Sequence, residues 1–221
     1  MAVVAKRQSR REAVSGHKRE LILDAARQVF AEEGLDGASL RAIAVRAGYT
    51  PAALYFHFES KEAMYAEVLR ASLESLGAAV DRAVSRTRTP QETLKAAAMA
   101  FFGFYAQNPR DLDLGFYLFR GGMKPAGLGH ARDMRLNAAL EAALRPIAQA
   151  AVELGASQER ANLLMVDSFA HAAGLLLLLH TGRIRMFGAS APELMEAYVD
   201  DRIAQLVHPS SEESRRASGK E

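Results

Sequence analysis

Apolar side chains recur along most of this 221-residue chain at the three- and four-residue spacing of amphipathic helices, and no segment alternates convincingly as a strand does. The first apolar stripe lies between His17 and Glu33 and consists of Leu21, Ile22, Ala25, Ala26, Val29 and Phe30. A second apolar stripe predicts a long helix from Ser60 to about Arg86. Its inward-facing residues are Met64, Tyr65, Val68, Leu69, Leu73, Leu76 and Val80. The pattern predicts an all-α protein of about nine helices.

Start and stop signals divide the remainder of the chain. Thr89-Pro90-Gln91-Glu92 has the form of a capping box, and Asn108-Pro109 gives another start signal. Further helices are expected over residues 89–108, 109–120, 130–154, 157–182 and 190–208, with a loop at 121–127. Pro146 is expected to bend or split its helix, because proline removes a helical hydrogen bond.

The stretch from Ser39 to Lys61 predicts two short helices separated by a tight turn. Ser39 can cap the first helix, and Gly48 can adopt the positive φ that ends it. Thr50 followed by Pro51 is a start signal for the second helix. Helix, glycine-containing turn and second helix make up the helix-turn-helix layout, in which the second helix enters the major groove of DNA.

These residues resemble the TetR family of transcriptional regulators. The matching patterns are F-x-x-x-G at residues 30–34, S-x-R-x-I-A-x-x-A-G at 39–48 and L-Y-x-H-F at 54–58, followed by Lys61. The resemblance covers Glu20 to Leu69 and departs from the family pattern at Tyr49, where a smaller aliphatic residue is usual. It implies an N-terminal three-helix DNA-binding domain followed by a larger helical domain for ligand binding and dimerisation.

Nine residues are predicted to contact DNA. The base-reading group, at the start of the second helix and on its flanks, consists of Ser39, Arg41, Thr50, Pro51, Ala52 and Ala53. Its small side chains limit hydrogen-bonded readout, although alanine and the threonine methyl can contact a thymine methyl. The resemblance implies phosphate contacts for Tyr55, His57 and Lys61, each of which has a suitable donor. The alternative for Tyr55 and His57 is an aromatic pair packed against the first helix.

The charge distribution supports a polyanionic partner. Residues 1–61 hold 10 Lys and Arg against 7 Asp and Glu, whereas residues 62–221 hold 18 against 19. Most of the N-terminal excess comes from Lys6, Arg7, Arg10, Arg11, Lys18 and Arg19. Such a cluster favours phosphate contacts through counterion release, and a solubilising tail is the alternative.

Four segments are expected on these grounds. Residues 1–16 form a disordered basic arm, and residues 17–61 form the helix-turn-helix DNA-binding domain. Residues 62–208 form the helical effector-binding and dimerisation domain, and residues 209–221 form a disordered tail.

Aromatic residues are concentrated near the middle of the chain, where half of the ten phenylalanines fall between Phe101 and Phe119. They occupy more than one helix face, so either a packed aromatic core or a largely apolar ligand cavity accounts for them. The resemblance implies a cavity in this domain. Candidates for its lining are Met99, Phe102, Tyr105, Phe116, Tyr117, Arg120 and His171. Arg120 or His171 would be the polar anchor for a small apolar or aromatic effector.

The segment from Leu163 to Leu179 is apolar on more faces than one core can bury. It is either a central core helix or, with the last helix, a subunit interface. The resemblance implies a homodimer through the helices at 157–182 and 191–207, and hence a palindromic operator. Asp167, Ser168 and His171 interrupt the apolar run, which favours burial within protein over a membrane span.

Several chemistries find no support in the sequence. The chain has no cysteine. Asp167 and His171 lie four residues apart, which favours a hydrogen-bonded pair; because no further ligand accompanies them, we assign no catalytic, metal or cofactor site. The N-terminus lacks the apolar segment of a secretory signal, and we expect a cytoplasmic protein. The predicted function is that of a ligand-responsive repressor on double-stranded DNA. An activator or architectural DNA binder is the alternative, and a small-molecule enzyme in the helical domain is a more remote one.

Overall fold

The computed structural model describes residues 2–115 and 128–208, with side chains from Ser15 onward. These ranges contain nine α-helices, one short 3-10 helix and no strand, which confirms the predicted all-α class. In chain order the helices are α1 (Ala2–Gly37), α2 (Leu40–Ala47), α3 (Pro51–His57), α4 (Lys61–Val84), α5 (Pro90–Gln107), α6 (Pro109–Gly115), α7 (His130–Glu153), α8 (Gln158–His180) and α9 (Ala191–Val207). The 3-10 helix, Arg183–Phe187, lies between α8 and α9.

The chain divides into two compact units. Among the described residues, the first unit contains α1 to α3, α4 as far as Ser72, α6, and α7 as far as Leu136. The second contains the rest of α4 and α7 together with α5, α8 and α9. This division by packing falls later than the predicted boundary after residue 61, because the first turns of α4 are buried within the first unit. The functional boundary at residue 62 stays a prediction.

The first helix differs from the prediction at its N-terminal end and agrees with it at Gly34. Its backbone is helical from Ala2, whereas residues 1–16 were expected to be disordered; good helix formers such as Ala, Arg and Lys dominate that segment. Leu21 was assigned to the buried stripe but is 42% exposed, while Ile22 and Phe30 are buried as predicted. Regular geometry ends at Gly34, whose φ of 71° is the stop signal anticipated there.

The core of the first unit forms where α1 meets the beginning of α4. The Phe30 and Tyr65 rings pack edge to face with centroids 4.9 Å apart, and Leu54 and Met64 are fully buried beside other apolar residues. The Tyr65 hydroxyl donates a hydrogen bond of 2.6 Å to the carbonyl of Leu114 in α6. Aromatic packing and a satisfied buried hydroxyl therefore fix α4 and α6 in the unit that carries the short helices.

In the second unit, α5 packs against both α8 and α9. Lys95 of α5 donates to Asp200 and Glu196 of α9 at 2.8 and 2.9 Å, and these hydrogen bonds raise the pKa of Lys95. Pro146 was expected to bend or split its helix, but α7 continues from His130 to Glu153 without division. The predicted helix after Asn108 is described only as far as Gly115, and the expected loop at 121–127 lies outside the described residues.

One described helix, α8, is long and apolar enough to cross a bilayer by length and composition alone. Within the single chain 22% of its most apolar window is buried, and Leu163, Val166 and Leu177 remain exposed. Of the two alternatives for this helix, a central core helix does not account for these exposed residues. Its uncovered face is considered with the sites below.

Candidate nucleic-acid interface

Local hydrogen bonds shape the turn between α2 and α3. The Ser39 hydroxyl accepts from the Ala42 N–H at 3.1 Å and caps α2. At the other end, Gly48 has φ 73° and donates its N–H to Val45, while the Tyr49 N–H donates to Ala44 at 2.9 Å. This pair of bonds is the Schellman ending that glycine permits at little conformational cost.

The second short helix begins and ends as its sequence suggests. The Thr50 hydroxyl accepts from the Ala53 N–H at 3.3 Å, and Pro51 occupies the first turn, where no N–H is needed. Leu54 is fully buried and Phe58 nearly so, which anchors one side of α3 to the first unit. The opposite side of α3 is consequently held toward solvent.

The predicted base-reading residues are accessible to solvent. Ser39, Arg41, Thr50, Pro51 and Ala52 are exposed, and Ala53 is half-buried. Four of them lie at the beginning of α3 and two at the beginning of α2. Their contacts with bases stay a prediction.

Tyr55 and His57, two of the predicted phosphate contacts, differ in their exposure to solvent. The Tyr55 side chain is 60% exposed, which disfavours the alternative of a pair packed on the first helix. His57 is half-buried, and its ring meets the edge of Phe56 with centroids 5.3 Å apart. Tyr55 is thus open to solvent, whereas His57 is partly enclosed, and their phosphate contacts stay predictions.

Lys61 has an internal role that the sequence did not indicate. Its ammonium donates to the carbonyl of Leu35 at 2.8 Å and lies 3.4 and 3.5 Å from those of Ala38 and Asp36. Three carbonyls of the α1–α2 connection thus surround one charge. A phosphate contact by Lys61 would have to compete with these bonds.

Phe56 is a functional candidate that the sequence analysis missed. Its side chain is 84% exposed on α3, and it lines a groove of about 320 Å³ with Ser15, Lys18, Ile22, Tyr49, Ala53 and His57. The motif L-Y-x-H-F leaves this position unspecified, so the only available signal was an aromatic residue on the short helix. Lys18, from the predicted basic cluster, lies in the same groove as Phe56.

Not every residue of the N-terminal basic cluster is available for a contact with DNA phosphate. The Arg19 guanidinium bonds Glu67 at 2.7 Å and lies 5.1 Å from the centre of the Phe58 ring. Burial alone would raise the pKa of Glu67, but hydrogen bonds from Arg19 and Arg70 outweigh it and leave the pKa lowered. Arg19 therefore braces α1 against α4, and the side chains of Lys6, Arg7, Arg10 and Arg11 lie outside the described residues.

Ion pairs also join the short helices to their neighbours. Arg46 of α2 bonds Glu32 of α1 at 2.7 Å. Glu59, in the connection after α3, pairs with Arg132 near the start of α7. The orientation of α2 and α3 is therefore fixed by polar contacts at their rims as well as by the apolar core.

The candidate effector residues of the second unit lie in the packed interior or on its edge. Phe102 and Tyr105 are buried, and the Phe101 ring packs edge to face against Tyr105 and Phe169. Met99 is half-buried. Among the described rings, this arrangement fits the packed-core alternative. The other candidates, Phe116, Tyr117 and Arg120, lie outside the described residues.

His171 belongs to a cluster at the junction of α8 and α9. Its ring stacks on Tyr198 with centroids 4.0 Å apart, and the Tyr198 hydroxyl donates to Asp167 at 2.7 Å. Burial lowers the pKa of His171, whereas burial and the bond to Asp167 raise that of Tyr198 to about 12. Asp167 therefore bonds the tyrosine, and not His171 as the sequence analysis expected.

The outward face of α8 is apolar. Leu163, Val166 and Leu177 are 64%, 57% and 59% exposed, and they share one helix face with Ala170 and Gly174. An open groove of about 580 Å³ lies along this face beside α9, with Arg160, Asp167, Arg202 and Gln205 as its polar members. The opposite face, which includes Ala172, Leu175 and Leu176, is buried in the second unit.

The first unit thus has two short helices at a Schellman turn, with the second anchored on one side and exposed on the other. That geometry defines a helix-turn-helix domain, a class of DNA-binding module.

Comparisons with known proteins assign the domain to a family. Residues 22–68 match the family model described as bacterial regulatory proteins, tetR family. Residues 22–68 therefore carry the N-terminal domain of the TetR family, which confirms the resemblance over that region.

Two relatives and one solved structure extend the comparison. The transcriptional activator FasR of Mycolicibacterium smegmatis is 38% identical over 87 residues, which is 39% of this chain and 40% of FasR. The transcriptional repressor KstR2 of Mycobacterium tuberculosis is 41% identical over 85 residues, 38% of this chain and 42% of the relative. This chain therefore matches about two fifths of the length of each relative.

The solved structure is the transcriptional regulator FadR of Bacillus subtilis in complex with stearoyl-CoA. It is 16% identical, covers 85% of this chain and 97% of its own, and has a TM-score of 0.62. At that identity the likeness establishes the shared fold.

Proposed function

We propose that this protein is a transcriptional regulator that binds a double-stranded DNA operator through α3 and responds to a small-molecule effector. The observation that carries the proposal is the exposed face of α3, held outward by Leu54 and Phe58 after a capped turn. Relatives that share the domain regulate transcription, one as an activator and another as a repressor. Repression is the simpler action, because a protein seated on a promoter excludes polymerase.

DNA binding is tested by selecting duplexes from a random pool and measuring the affinity of the recovered sequence against salt. Phosphate contacts release counterions, so the logarithm of the affinity should fall linearly with the logarithm of salt concentration. Mapping the genomic site relative to the promoter then separates repression from activation. Failure to retain any duplex at low salt would refute the proposal.

The proposed operator-binding species is a homodimer through α8 and α9. The exposed apolar residues on α8 form a contiguous stripe, whereas single apolar residues scattered on a surface would need no partner. Ala170 and Gly174, in the middle of the stripe, are small enough to permit close approach of a second helix. Two-fold pairing would set two α3 helices on one side of the duplex. It predicts palindromic half-sites separated by one or more turns, about 34 Å each.

A matched pair of substitutions tests the dimer. Val166→Arg places a charge on the α8 stripe, whereas Val152→Arg makes the same change on α7, where the valine is 39% exposed. The first variant should sediment as a monomer and lose affinity for the palindrome, and the second should do neither. A dimeric Val166→Arg protein would place the interface elsewhere.

The proposed effector is small and largely apolar. The same fold binds stearoyl-CoA in the B. subtilis regulator, and half of this chain's ten phenylalanines fall between Phe101 and Phe119. Candidate contacts remain Met99, Phe102, Tyr105, Phe116, Tyr117, Arg120 and His171. If the effector carries a carboxylate or a phosphate, we propose that Arg120 or His171 contacts that group.

Release requires an effector that prefers one conformation of the protein. We propose that binding shifts α4, which begins three residues after Phe58, and alters the spacing of the two α3 helices. A coupling of about 1–3 kcal/mol would change DNA affinity about 5- to 150-fold. Stearoyl-CoA is the first probe, with free coenzyme A as control; equal DNA affinity with both would argue against a fatty-acyl effector.

We assign the protein no catalytic activity, and we place it in the cytoplasm with its DNA. The Asp167, His171 and Tyr198 cluster lies at the proposed interface, where its bonds join α8 to α9. Its geometry thus serves assembly better than proton transfer.

A further inference from the structure

The exposed face of α3 has an unusual chemistry for a helix that reads DNA. The seven residues Pro51 to His57 include no Arg, Lys, Asn, Gln, Asp or Glu. Those side chains make the paired hydrogen bonds that distinguish most base pairs in the major groove. Sequence readout by α3 therefore has to come mainly from apolar contacts, from the Tyr55 hydroxyl and from the His57 imidazole.

Phe56 is the largest apolar group on that face. It is 84% exposed, and its ring lies perpendicular to that of His57 with centroids 5.3 Å apart. Leu54 and Phe58 already anchor α3 to the unit, so Phe56 is not needed for packing. An exposed aromatic ring on an outward-facing helix gains most by meeting another apolar surface.

The neighbours of Phe56 indicate what that surface is. Lys18 and Ser15 line the same groove, and both can donate to a phosphate oxygen. The groove thus places two phosphate donors beside an exposed ring. In the major groove, the C5-methyl of thymine is the apolar group that the bases present beside the phosphates.

We propose that Phe56 is a specificity-determining residue that contacts thymine C5-methyl groups, so that each half-site requires thymine at the contacted position. This inference rests on the proposed function, since it concerns how α3 reads an operator. Lys18 holds the adjacent phosphate and positions the ring against the methyl group.

Uracil substitution isolates the methyl group, because uracil differs from thymine by that group alone and pairs identically. The probe is the duplex recovered by selection with the wild-type protein, remade with deoxyuridine at one thymine per half-site in turn. At the contacted position, loss of the methyl should weaken wild-type binding about fourfold per half-site, the effect of exposing one CH₂-sized group. A symmetric replacement should weaken it about 15-fold.

Three variants determine whether the ring is responsible. Phe56→Ala should bind thymine and uracil duplexes equally at that position, whereas Phe56→Leu should retain most of the discrimination. Tyr55→Phe removes a neighbouring hydroxyl and keeps its ring, so the thymine-to-uracil ratio should not change.

The outcomes separate the two proposals. If wild-type protein retains no duplex, the proposed function itself fails. If it binds a duplex but treats thymine and uracil alike at every position, or if Phe56→Ala keeps the full discrimination, only the assignment of Phe56 is overturned.

Discussion

Replacing Lys61 with methionine separates an internal role for this residue from a contact with DNA. The ammonium donates to the Leu35 carbonyl at 2.8 Å, and two further carbonyls lie at 3.4 and 3.5 Å. Methionine keeps much of the chain length and half-buried packing but removes the charge and all three donors. The carbonyls of the α1–α2 connection then lose their partner.

The expected loss of stability follows from the one short hydrogen bond, from the Lys61 ammonium to the Leu35 carbonyl. A hydrogen bond to a charged group contributes about 1.5–3 kcal/mol, and the two longer contacts add little at their distances. Because the site is half-buried, water can replace part of the interaction, and we expect a loss of about 2 kcal/mol in the free energy of unfolding. Urea denaturation followed by circular dichroism measures it, with Lys18→Met as the same change at an exposed lysine.

The binding assay completes the test. For the folded protein, Lys61→Met should leave the salt dependence of operator binding unchanged, whereas Lys18→Met, which removes a proposed phosphate contact, should reduce the slope by about one per subunit. An internal role for Lys61 is refuted if Lys61→Met is as stable as wild type and lowers the slope as Lys18→Met does. Lys61 would then be a phosphate contact, as the family resemblance implies.

Three further substitutions test other parts of the structure. Gly48→Ala should destabilise the protein by about 1–2 kcal/mol, because the left-handed conformation at φ 73° is strained for alanine although the space beside it is open; Gly48→Asn should cost less in the same urea titration. Tyr65→Phe should cost about 1–2 kcal/mol by leaving the buried Leu114 carbonyl without its donor, without changing the far-ultraviolet spectrum of the folded protein. Burial lowers the pKa of His171 below its usual 6.5, so the unfolded chain binds more protons and stability should fall as pH drops from 6.5 through the folded-state pKa. His171→Gln should flatten that loss relative to wild type, and an unchanged pH profile would count against it.

Local sequence signals predicted the helix-turn-helix well because short-range chemistry fixes it. Ser39, Gly48 and Thr50 each act on backbone groups within four residues, and all three behave as their residue types suggest. The stripe on α4 is likewise buried as its periodicity predicts, from Met64 to Val80. Capping and periodicity need no knowledge of distant parts of the chain.

Long-range contacts explain most of the differences. Nothing near Lys61 in sequence shows that carbonyls 23 to 26 positions earlier surround its ammonium, and Arg19 finds Glu67 across 48 positions. Both residues belong to groups that the sequence assigned to phosphate binding. A basic side chain in a motif therefore needs its nearest acceptor identified before it is counted as a DNA contact.

The two faces of α8 show what the periodicity of apolar residues can predict and what it cannot. Its sequence is apolar around most of the helix, which predicts more buried surface than one core provides but cannot tell which face the same chain covers. The structure places Ser168, Ala172 and Leu176 inside and leaves Leu163 and Val166 outside. A Val→Arg change on the outer face should therefore act on assembly, whereas Leu176→Ala should act on folding, with a cost of about 2–5 kcal/mol that does not depend on protein concentration. Concentration dependence is the discriminating measurement, because only loss of a subunit contact obeys mass action. If Val166→Arg lowered stability equally at all concentrations, the outer face would be part of the folding core, and a homodimer through α8 would lose its physical basis.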